Sequence, residues 1–375
     1  MHHQTTNLFN YTYPLIKLNN KCVKIGTFFS GIGSPEMAFK RLKENKIIKD
    51  YKTMFYCEID KYAIKSYISI HGNISKNLGN INDVDGSKLP YCDIWIGGFP
   101  CQDISIAGVR RGFEFNSNTR SSLGWKMIEF LREVKIKPKI VIFENVEAIT
   151  HDKMRQTLNL FKKDLENLNY SLYDNILCAL DYGIPQNRKR YFLIAIKGKY
   201  LYQFPPKLEL KSKFKDFIEN NINPKYIISE KVYFDLNKFV KEKDYTKNSK
   251  LVCVGLNDKK KKYIIDLYKF IDGKNYCGRD ISSKYNQTAR LWSMNGFCPT
   301  ITANSTEDTC KIIIYQDNYF FVKKISPLES WRLMGFSDND FYKAKKTGMS
   351  NRQLYKQAGN SIVTNVIYYI LKNLF

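Results

Sequence analysis

The sequence lacks the cysteine and histidine spacings from which metal sites and disulfide frameworks are usually built. Its nine cysteines include no Cys-x-x-Cys pair, and two of its four histidines are His2 and His3. A zinc site needs clustered cysteine and histidine ligands, so we expect no metal. An odd number of cysteines in a chain of 375 residues fits reduced thiols in a cytosol better than a set of disulfides.

Long apolar runs and internal repeats are also missing. No stretch approaches the ~18 apolar residues of a membrane span. Residues 1–20 are polar and lack the apolar core of a secretion signal. These features predict a protein that works in the cytoplasm, without a membrane partner.

Acidic residues are few compared with basic ones. The chain has 36 aspartates and glutamates against 60 lysines and arginines, a formal net charge of +24 with a pI near 9.5. An excess of this size favours a polyanionic partner, most simply nucleic acid. Coding bias is the alternative, because the chain is also rich in asparagine, isoleucine and tyrosine, as an AT-rich bacterial or phage genome would encode.

Strand-like and helical patterns alternate over the first 200 residues. Helical spacing covers residues 120–135 and 151–169, and six apolar runs have the length of strands: 23–29, 52–58, 91–97, 139–144, 172–179 and 191–197. This alternation predicts an α/β fold with a doubly wound, mostly parallel sheet. The length of the chain favours a second, smaller domain. No clear period appears from residue 205 to 325, and a final helix is predicted over 361–373.

One cysteine stands on a loop shaped by glycine and proline. Residues 97–102 read Gly-Gly-Phe-Pro-Cys-Gln and follow a strand-like run, so Cys101 is expected at the carboxyl end of a strand. Ligands bind at that edge in open α/β sheets. A thiol held there by stiff backbone can serve as a nucleophile, although a lone cysteine is more often a small core residue.

The turn after the first strand resembles a nucleotide-binding loop. Residues 29–33 read Phe-Ser-Gly-Ile-Gly, and glycines let backbone approach a ligand closely. The third glycine of the dinucleotide fingerprint is absent. Glu58 ends the second strand, where an acid would hold ribose hydroxyls. Taken alone, this turn also fits a nicotinamide-dependent oxidoreductase, and Glu58 also fits an ordinary surface position.

Further polar clusters lie at strand ends or helix starts. Glu144 closes one strand, and a buried glutamate near a cysteine nucleophile can exchange a proton with a heteroaromatic ring. Arg188 and Arg190 open the next strand at i, i+2, so they point the same way and can hold an anion. Residues 120–123 begin the amphipathic helix, and Gly-Asn-Ser at 359–361 is predicted to begin the last one.

Five of these motifs, in this order, resemble those of the DNA (cytosine-5)-methyltransferase family: Phe-x-Gly-x-Gly, Gly-Phe-Pro-Cys-Gln, Glu-Asn-Val, Gln-x-Arg-x-Arg and Gly-Asn-Ser. The resemblance implies a Rossmann-like, S-adenosylmethionine-dependent fold. It also implies a catalytic and cofactor-binding domain over 1–206 and a target-recognition domain over 207–326. Residues 327–375 would be a hinge and a C-terminal helix returning to the catalytic domain.

The resemblance also implies the reaction. A methyl group would pass from S-adenosylmethionine to C5 of a flipped-out cytosine in a specific duplex DNA sequence, leaving S-adenosylhomocysteine. The Cys101 thiolate would add to C6 so that C5 becomes nucleophilic. Glu144 would contact N3 and the exocyclic amine, Arg188 would hold the cytosine O2, and Arg190 would brace the loop and Glu144.

Other binding residues follow from the same similarity. The cofactor would be bound by Phe29, Ser30, Gly31, Ile32, Gly33, Glu58, Ile59, Asn80, Ile81, Pro100, Leu123, Asn360 and Ser361. DNA would be contacted by Gln102, Ser105, Gln287, Arg290 and Thr300. The sequence departs from the family pattern at Ile59, where tryptophan is common, at Asn80, where an acid is usual, and at Leu328, which replaces an arginine of a structural ion pair.

Three partner and function assignments stay open at this point. A monomer that modifies DNA beside a cognate restriction endonuclease is the leading interpretation. A tRNA cytosine-5 methyltransferase on the same frame is the first alternative, and the basic stretch of about 120 residues between the motif blocks favours DNA over it. A non-catalytic DNA-binding module is the second, and the intact set of Cys101, Glu144 and Arg188 argues against it.

Overall fold

A computed structural model describes residues 13–19, 22–73, 75–100, 120–221, 223–229, 253–255, 290–294, 296–303, 310–316 and 319–375. Four residues with predicted roles lie outside this range: Cys101, Gln102, Ser105 and Gln287. Pro100, directly before the predicted nucleophile, is described.

The described residues form helices and strands that alternate over the first half of the chain. The helices are α1 Ser34–Glu44, α2 Lys61–His71, α3 Gly124–Glu133, α4 Asp152–Asn167, α5 Pro327–Arg332, α6 Asp338–Lys346, α7 Asn351–Asn360 and α8 Thr364–Lys372. The strands are β1 Cys22–Phe28, β2 Asp50–Cys57, β3 Lys76–Asn77, β4 Ile94–Gly98, β5 Ile140–Val146, β6 Tyr170–Cys178, β7 Gln186–Asn187, β8 Lys189–Lys197, β9 Ile227–Ser229, β10 Cys253–Gly255, β11 Arg290–Ser293, β12 Cys298–Pro299, β13 Lys311–Gln316 and β14 Tyr319–Lys324.

A seven-stranded sheet with the order β3-β2-β1-β4-β5-β8-β6 organises the larger part of the chain. The pairs from β3 to β5 are parallel, and β8 runs antiparallel to both β5 and β6. The predicted α/β fold with a doubly wound, mostly parallel sheet is therefore confirmed. The strand order reverses between β1 and β4, and such a switch point places their carboxyl ends beside a crevice.

Helices cover both faces of this sheet, which explains why its central strands are apolar throughout. On one face, α1 and the C-terminal helices pack over Ile25 and Ile142. On the other face, α3 and α4 pack over Trp95 and Phe143. The chain end returns to the first core, because Ile367 and the rest of the apolar face of α8 belong to that cluster.

A second, five-stranded sheet has the order β10-β11-β13-β14-β9. All of its strands come from residues 227–324, where the sequence shows no clear period. A small core that includes Trp292, Ile312 and Ile325 lies beside it. The domain boundaries at 206 and 326 stay predictions.

The C-terminal segment differs from the sequence-based prediction. Residues 327–360 form three helices that we did not predict, and Gly-Asn-Ser at 359–361 ends α7 instead of beginning the last helix. Ser361 and Val363 are extended, with ψ of 152° and 117°, and α8 begins at Thr364. The carbonyls of Gly359 and Ser361 both accept from Arg188, so a tertiary contact satisfies the backbone where the helix breaks.

The structure contains an ion pair that compensates for the arginine replaced by Leu328. Glu329 still has a cationic partner, because Lys323 Nζ lies 2.6 Å from its Oε1, and both side chains are buried. Ser326 and Glu329 also form a capping box at the start of α5. The buried acid is therefore neutralised from β14 rather than from its own helix.

The described part of the chain contains neither a membrane-spanning helix nor a metal-binding cluster. None of its helices is long and apolar enough to cross a membrane. Within the same residues, no group of three or more histidine, cysteine, aspartate or glutamate side chains is arranged to hold a metal ion.

Candidate active site

The turn after β1 has a backbone conformation that residues with a side chain rarely adopt. Phe29, Gly31 and Gly33 have φ of 53°, 54° and 84°. A Cβ on Gly33 would lie 2.2 Å from His71 Nε2, so this glycine is required by space as well as by its φ. The ring of His71 lies against the turn, with Nε2 3.0 Å from the carbonyl of Ile32. The contact with His71 therefore restrains the conformation of the turn after β1.

A buried polar network, which the sequence analysis missed, supports the same turn. Glu36 is 1% exposed, and its Oε1 accepts from Thr27 Oγ1 at 2.6 Å and from Tyr67 OH at 3.0 Å. The Thr27 hydroxyl lies 2.9 Å from that of Ser30. A glutamate in the first turn of a helix does not by itself predict a buried network. Only the packing of α2, which brings Tyr67 to Glu36, shows that Glu36 supports the turn after β1.

Glu58 closes β2 with its carboxylate turned toward the loop. Its Oε2 accepts from the backbone N–H of Gly31 at 2.8 Å, and its Oε1 accepts from those of Ile59 and Asp60 at 2.9 and 2.8 Å. A carboxylate has about four acceptor positions, so it can still accept bonds from hydroxyl groups. Beside it, the side chain of Ile59 is 70% exposed and offers an apolar surface.

The end of α7 reaches the same edge of the sheet. Lys356 Nζ lies 2.6 Å from Asp60 Oδ2, and Gln357 exchanges hydrogen bonds with Ser66 and the carbonyl of Tyr62. These contacts fix α7 on α2. They place residues 360 and 361 beside the turn after β1, although more than 300 positions separate them in the sequence.

A pocket opens between these elements. It is lined by Phe28, Phe29, Ser30, Gly31, Ser34, Pro35, Ile96, Gly98, Glu144, Asn360, Ser361 and Ile362. Five predicted cofactor residues therefore meet one predicted catalytic residue. The other predicted cofactor residues are not part of this lining: Ile32, Gly33, Glu58, Ile59, Asn80, Ile81, Pro100 and Leu123.

Glu144 is the ionisable group within this pocket lining. It lies near the carboxyl end of β5, is buried, and pairs with Arg190, whose Nε is 3.2 Å from Oε1. A Cβ on Gly98 would lie 2.9 Å from its Oε2, so glycine keeps this space free. Burial raises the pKa of Glu144, and the charges of Arg190 and Arg188 oppose the rise. Such a carboxyl can hold a proton to a higher pH than usual.

This raised pKa predicts how stability depends on pH. The folded state keeps the Glu144 proton to higher pH than the unfolded chain, so the contribution of Glu144 to stability falls as pH rises from about 4 through the raised pKa. Glutamine does not titrate. The free energy of unfolding of Glu144→Gln minus that of the wild type should therefore increase between about pH 4.5 and pH 8, as measured by urea unfolding. A constant or shrinking difference would contradict the assignment.

The two arginines of β7–β8 have different partners. Arg190 pairs with Glu144, and its role in catalysis stays a prediction. Arg188 is 4% exposed and donates to the carbonyls of Ile301, Gly359 and Ser361 at 2.7, 2.9 and 2.9 Å. Contact between Arg188 and the cytosine O2 stays a prediction, while the observed contacts are those of a residue that joins backbone segments.

Other residues with predicted roles lie outside the pocket lining. Asn145 Nδ2 donates to the carbonyl of Phe99 at 3.1 Å and so holds the backbone two positions before Cys101 in the sequence. Thr300 is exposed, and its hydroxyl donates to the carbonyl of Asn187 at 2.6 Å. Arg290 belongs to β11 in the second sheet. Asn80 is exposed and caps a short turn that buries Ile81.

Comparison with known proteins identifies the family. A model described as C-5 cytosine-specific DNA methylase matches residues 23–375. The type II methyltransferase M2.ScrFI of Lactococcus lactis subsp. cremoris is 33% identical over 337 residues, which cover 89% of this chain and 81% of that protein. The orphan methyltransferase M.SPRI of Bacillus phage SPR is 28% identical, with coverage of 94% and 97%.

Solved structures show the same fold. The Entamoeba histolytica methyltransferase EhMeth superimposes with a TM-score of 0.68 at 18% identity, covering 94% of this chain and 98% of that one. The S. pombe Dnmt2 methyltransferase gives 0.64 at 17% identity, with the same coverage. From the family model over nearly its whole length and from its relatives, the chain belongs to the C-5 cytosine-specific DNA methylase family.

Proposed function

We propose that this enzyme transfers a methyl group from S-adenosylmethionine to C5 of a flipped-out cytosine in a specific duplex DNA sequence. One observation carries the proposal: Glu144, paired with Arg190, lines the same pocket as the turn after β1 and the end of α7. A proton-transferring carboxyl and a nucleotide-binding turn thus share one crevice. The net charge of +24 suits a polyanionic substrate.

The residues around the pocket fit S-adenosylmethionine, which supplies the methyl group when it is bound. Phe29 and Ile362 contribute apolar surface to the pocket lining, and Ser361 contributes a polar group. Glu58, already oriented by Gly31, has acceptor capacity left for a pair of ribose hydroxyls. Exposed Ile59 can cover one face of an adenine ring.

In the proposed mechanism, Cys101 adds to C6 of the cytosine as a thiolate. A free cysteine of pKa ~8.5 is only a few per cent ionised at neutral pH, so a basic setting that stabilises the thiolate assists this step. Protonation at N3 by Glu144 withdraws electrons from the ring as the C6–S bond forms. C5 then accepts the methyl group. Loss of the C5 proton to a base and of the Cys101 thiolate from C6 restores the aromatic ring, and N3 returns its proton to Glu144.

Glu144 suits this role because its surroundings favour the protonated carboxyl and still stabilise the carboxylate that remains after proton transfer. Burial raises its pKa, while Arg190 at 3.2 Å keeps the ionised form accessible after the proton leaves. Because the reacting ring must lie against this carboxyl, the base has to leave the helix stack, at a cost of a few kcal/mol.

The names of the relatives suggest the biological setting. Some are described as type II methyltransferases and others as orphan methyltransferases. We propose that this chain is the modification enzyme of a restriction–modification system. The partner endonuclease would share its target sequence and need not contact it. A cytoplasmic monomer is the simplest form in which such an enzyme acts.

Sequencing of methylated cytosines tests the proposal. DNA from cells that express the chain should carry 5-methylcytosine at one short recurrent sequence, whereas DNA from cells expressing Cys101→Ala should carry none at that sequence. Purified protein given labelled S-adenosylmethionine should label duplex DNA and not tRNA. Labelling of tRNA alone, or no labelling of either, would refute the proposed function.

A further inference from the structure

Arg188 joins three carbonyls that belong to two distant segments. Its Nη1 donates to Ile301, which follows β12, and its Nη2 donates to Gly359 and Ser361 at the end of α7. The side chain is 4% exposed. A planar guanidinium presents donors in fixed directions, so the position of each segment depends on the position of the other.

Further contacts hold residues 298–303 against β7 and the end of α7, and we call this contact region the seam. β7 pairs with β12 in parallel, and buried Gln186 accepts from the N–H of Ile301 at 3.1 Å while its Nε2 donates to the carbonyl of Leu333 at 2.8 Å. A Cβ on Gly359 would lie 2.2 Å from the carbonyl carbon of Thr302. Residues 298–303 are therefore packed between β7 and the end of α7.

The two joined segments face different ligands under the proposed function, on which this inference rests. Residues 360 and 361 line the cofactor pocket. Residues 298–303 lead to the second sheet, and Thr300 among them is exposed. A ligand that immobilises the end of α7 immobilises residues 298–303 through the shared guanidinium. The second ligand then loses less conformational entropy on binding.

We propose that Arg188 is a positioning residue that couples cofactor binding to the ordering of the DNA-facing segment 298–303. Because coupling between two sites is reciprocal, the cofactor product should tighten DNA binding by the same factor as DNA tightens binding of the product. Charge alone is not sufficient for this role. A lysine keeps the cation near Glu144 but cannot span all three carbonyls.

Hydrogen–deuterium exchange with S-adenosylhomocysteine tests the coupling directly. In the full-length wild type, saturating S-adenosylhomocysteine should slow exchange of the peptide containing residues 298–303 by about fivefold or more. In Arg188→Lys the slowing should fall below about twofold, although the variant still binds S-adenosylhomocysteine within about threefold of the wild-type affinity. Arg332→Lys is the control, because Arg332 bonds the Asp338 carboxylate and the carbonyl of Phe217 and contacts neither residues 298–303 nor the end of α7 through these bonds, and it should behave as the wild type.

Gly359→Ala provides an independent test if the arginine variant folds poorly. Its added methyl group must displace residues 302–303 without removing the guanidinium, and it should reduce the protection to the same extent. Equal protection in the wild type and either folded variant would overturn the coupling. So would a wild type that binds S-adenosylhomocysteine without protecting 298–303. Absence of S-adenosylhomocysteine binding to the wild type would instead refute the proposed function.

Discussion

Replacement of Cys101 by alanine is expected to lower kcat for methyl transfer by more than about 10³-fold, while the affinity for duplex DNA changes by less than about threefold. Cytosine C5 is too weak a nucleophile to take the methyl group unless a thiolate first adds to C6. In the proposed mechanism that thiolate is Cys101, so removing its sulfur removes the step. We expect DNA binding to come mainly from contacts of lysine and arginine side chains with phosphates, which the loss of one sulfur does not remove.

A matched pair of measurements separates chemistry from folding. Cys22→Ala changes an exposed cysteine at the start of β1 and should retain wild-type kcat. Duplex DNA with 5-fluorocytosine at the target should form a covalent adduct with the wild type and with Cys22→Ala, because fluorine blocks the final elimination. Methyl transfer or adduct formation by Cys101→Ala would show that another residue is the nucleophile.

Glu144→Gln should lower kcat by about 10²- to 10⁴-fold, the usual contribution of a positioned general acid. Glutamine keeps the size of the side chain in a buried site beside Gly98, so the pocket should stay intact. It cannot deliver a proton to N3, and it leaves Arg190 without its carboxylate. Steady-state kinetics should therefore show a fall in kcat with less than about a threefold change in KM for S-adenosylmethionine.

The pH dependence distinguishes this role from a structural one. The wild-type kcat should fall as pH rises through the raised pKa of Glu144, because the proton is lost, and the residual rate of Glu144→Gln should lack that limb. Glu129→Gln is the control, since Glu129 pairs with Lys126 on the outer face of α3. A Glu144→Gln variant with wild-type kcat would remove Glu144 from the mechanism.

The sequence predicted the first half of the fold well, for a physical reason. Buried parallel strands are continuous apolar runs, and the helices between them have a regular apolar stripe, so the patterns at 139–144 and 151–169 lie within two residues of β5 and α4 at each end. The second sheet gave no such signal. Its strands are short, and several of them pair across gaps of dozens of residues.

The candidate site divides in the same way. Motif order alone predicted that the turn after β1, Glu144 and residues 360–361 serve one reaction, and the structure brings these residues to one pocket. Sequence patterns did not reveal Glu36 under the turn, nor that Gly-Asn-Ser ends a helix. Both depend on partners from other elements: Tyr67 for Glu36, and Arg188 for the helix end.

By itself, then, the sequence determined the fold class, the family motifs and the types of chemical group available, because these depend on local periodicity and on side-chain chemistry. Only the tertiary structure decided how those groups are paired. Two arginines two residues apart look equivalent along the chain. Packing directs one to Glu144 and the other to three carbonyls, since the partners of a buried guanidinium are set by which segments fold against it.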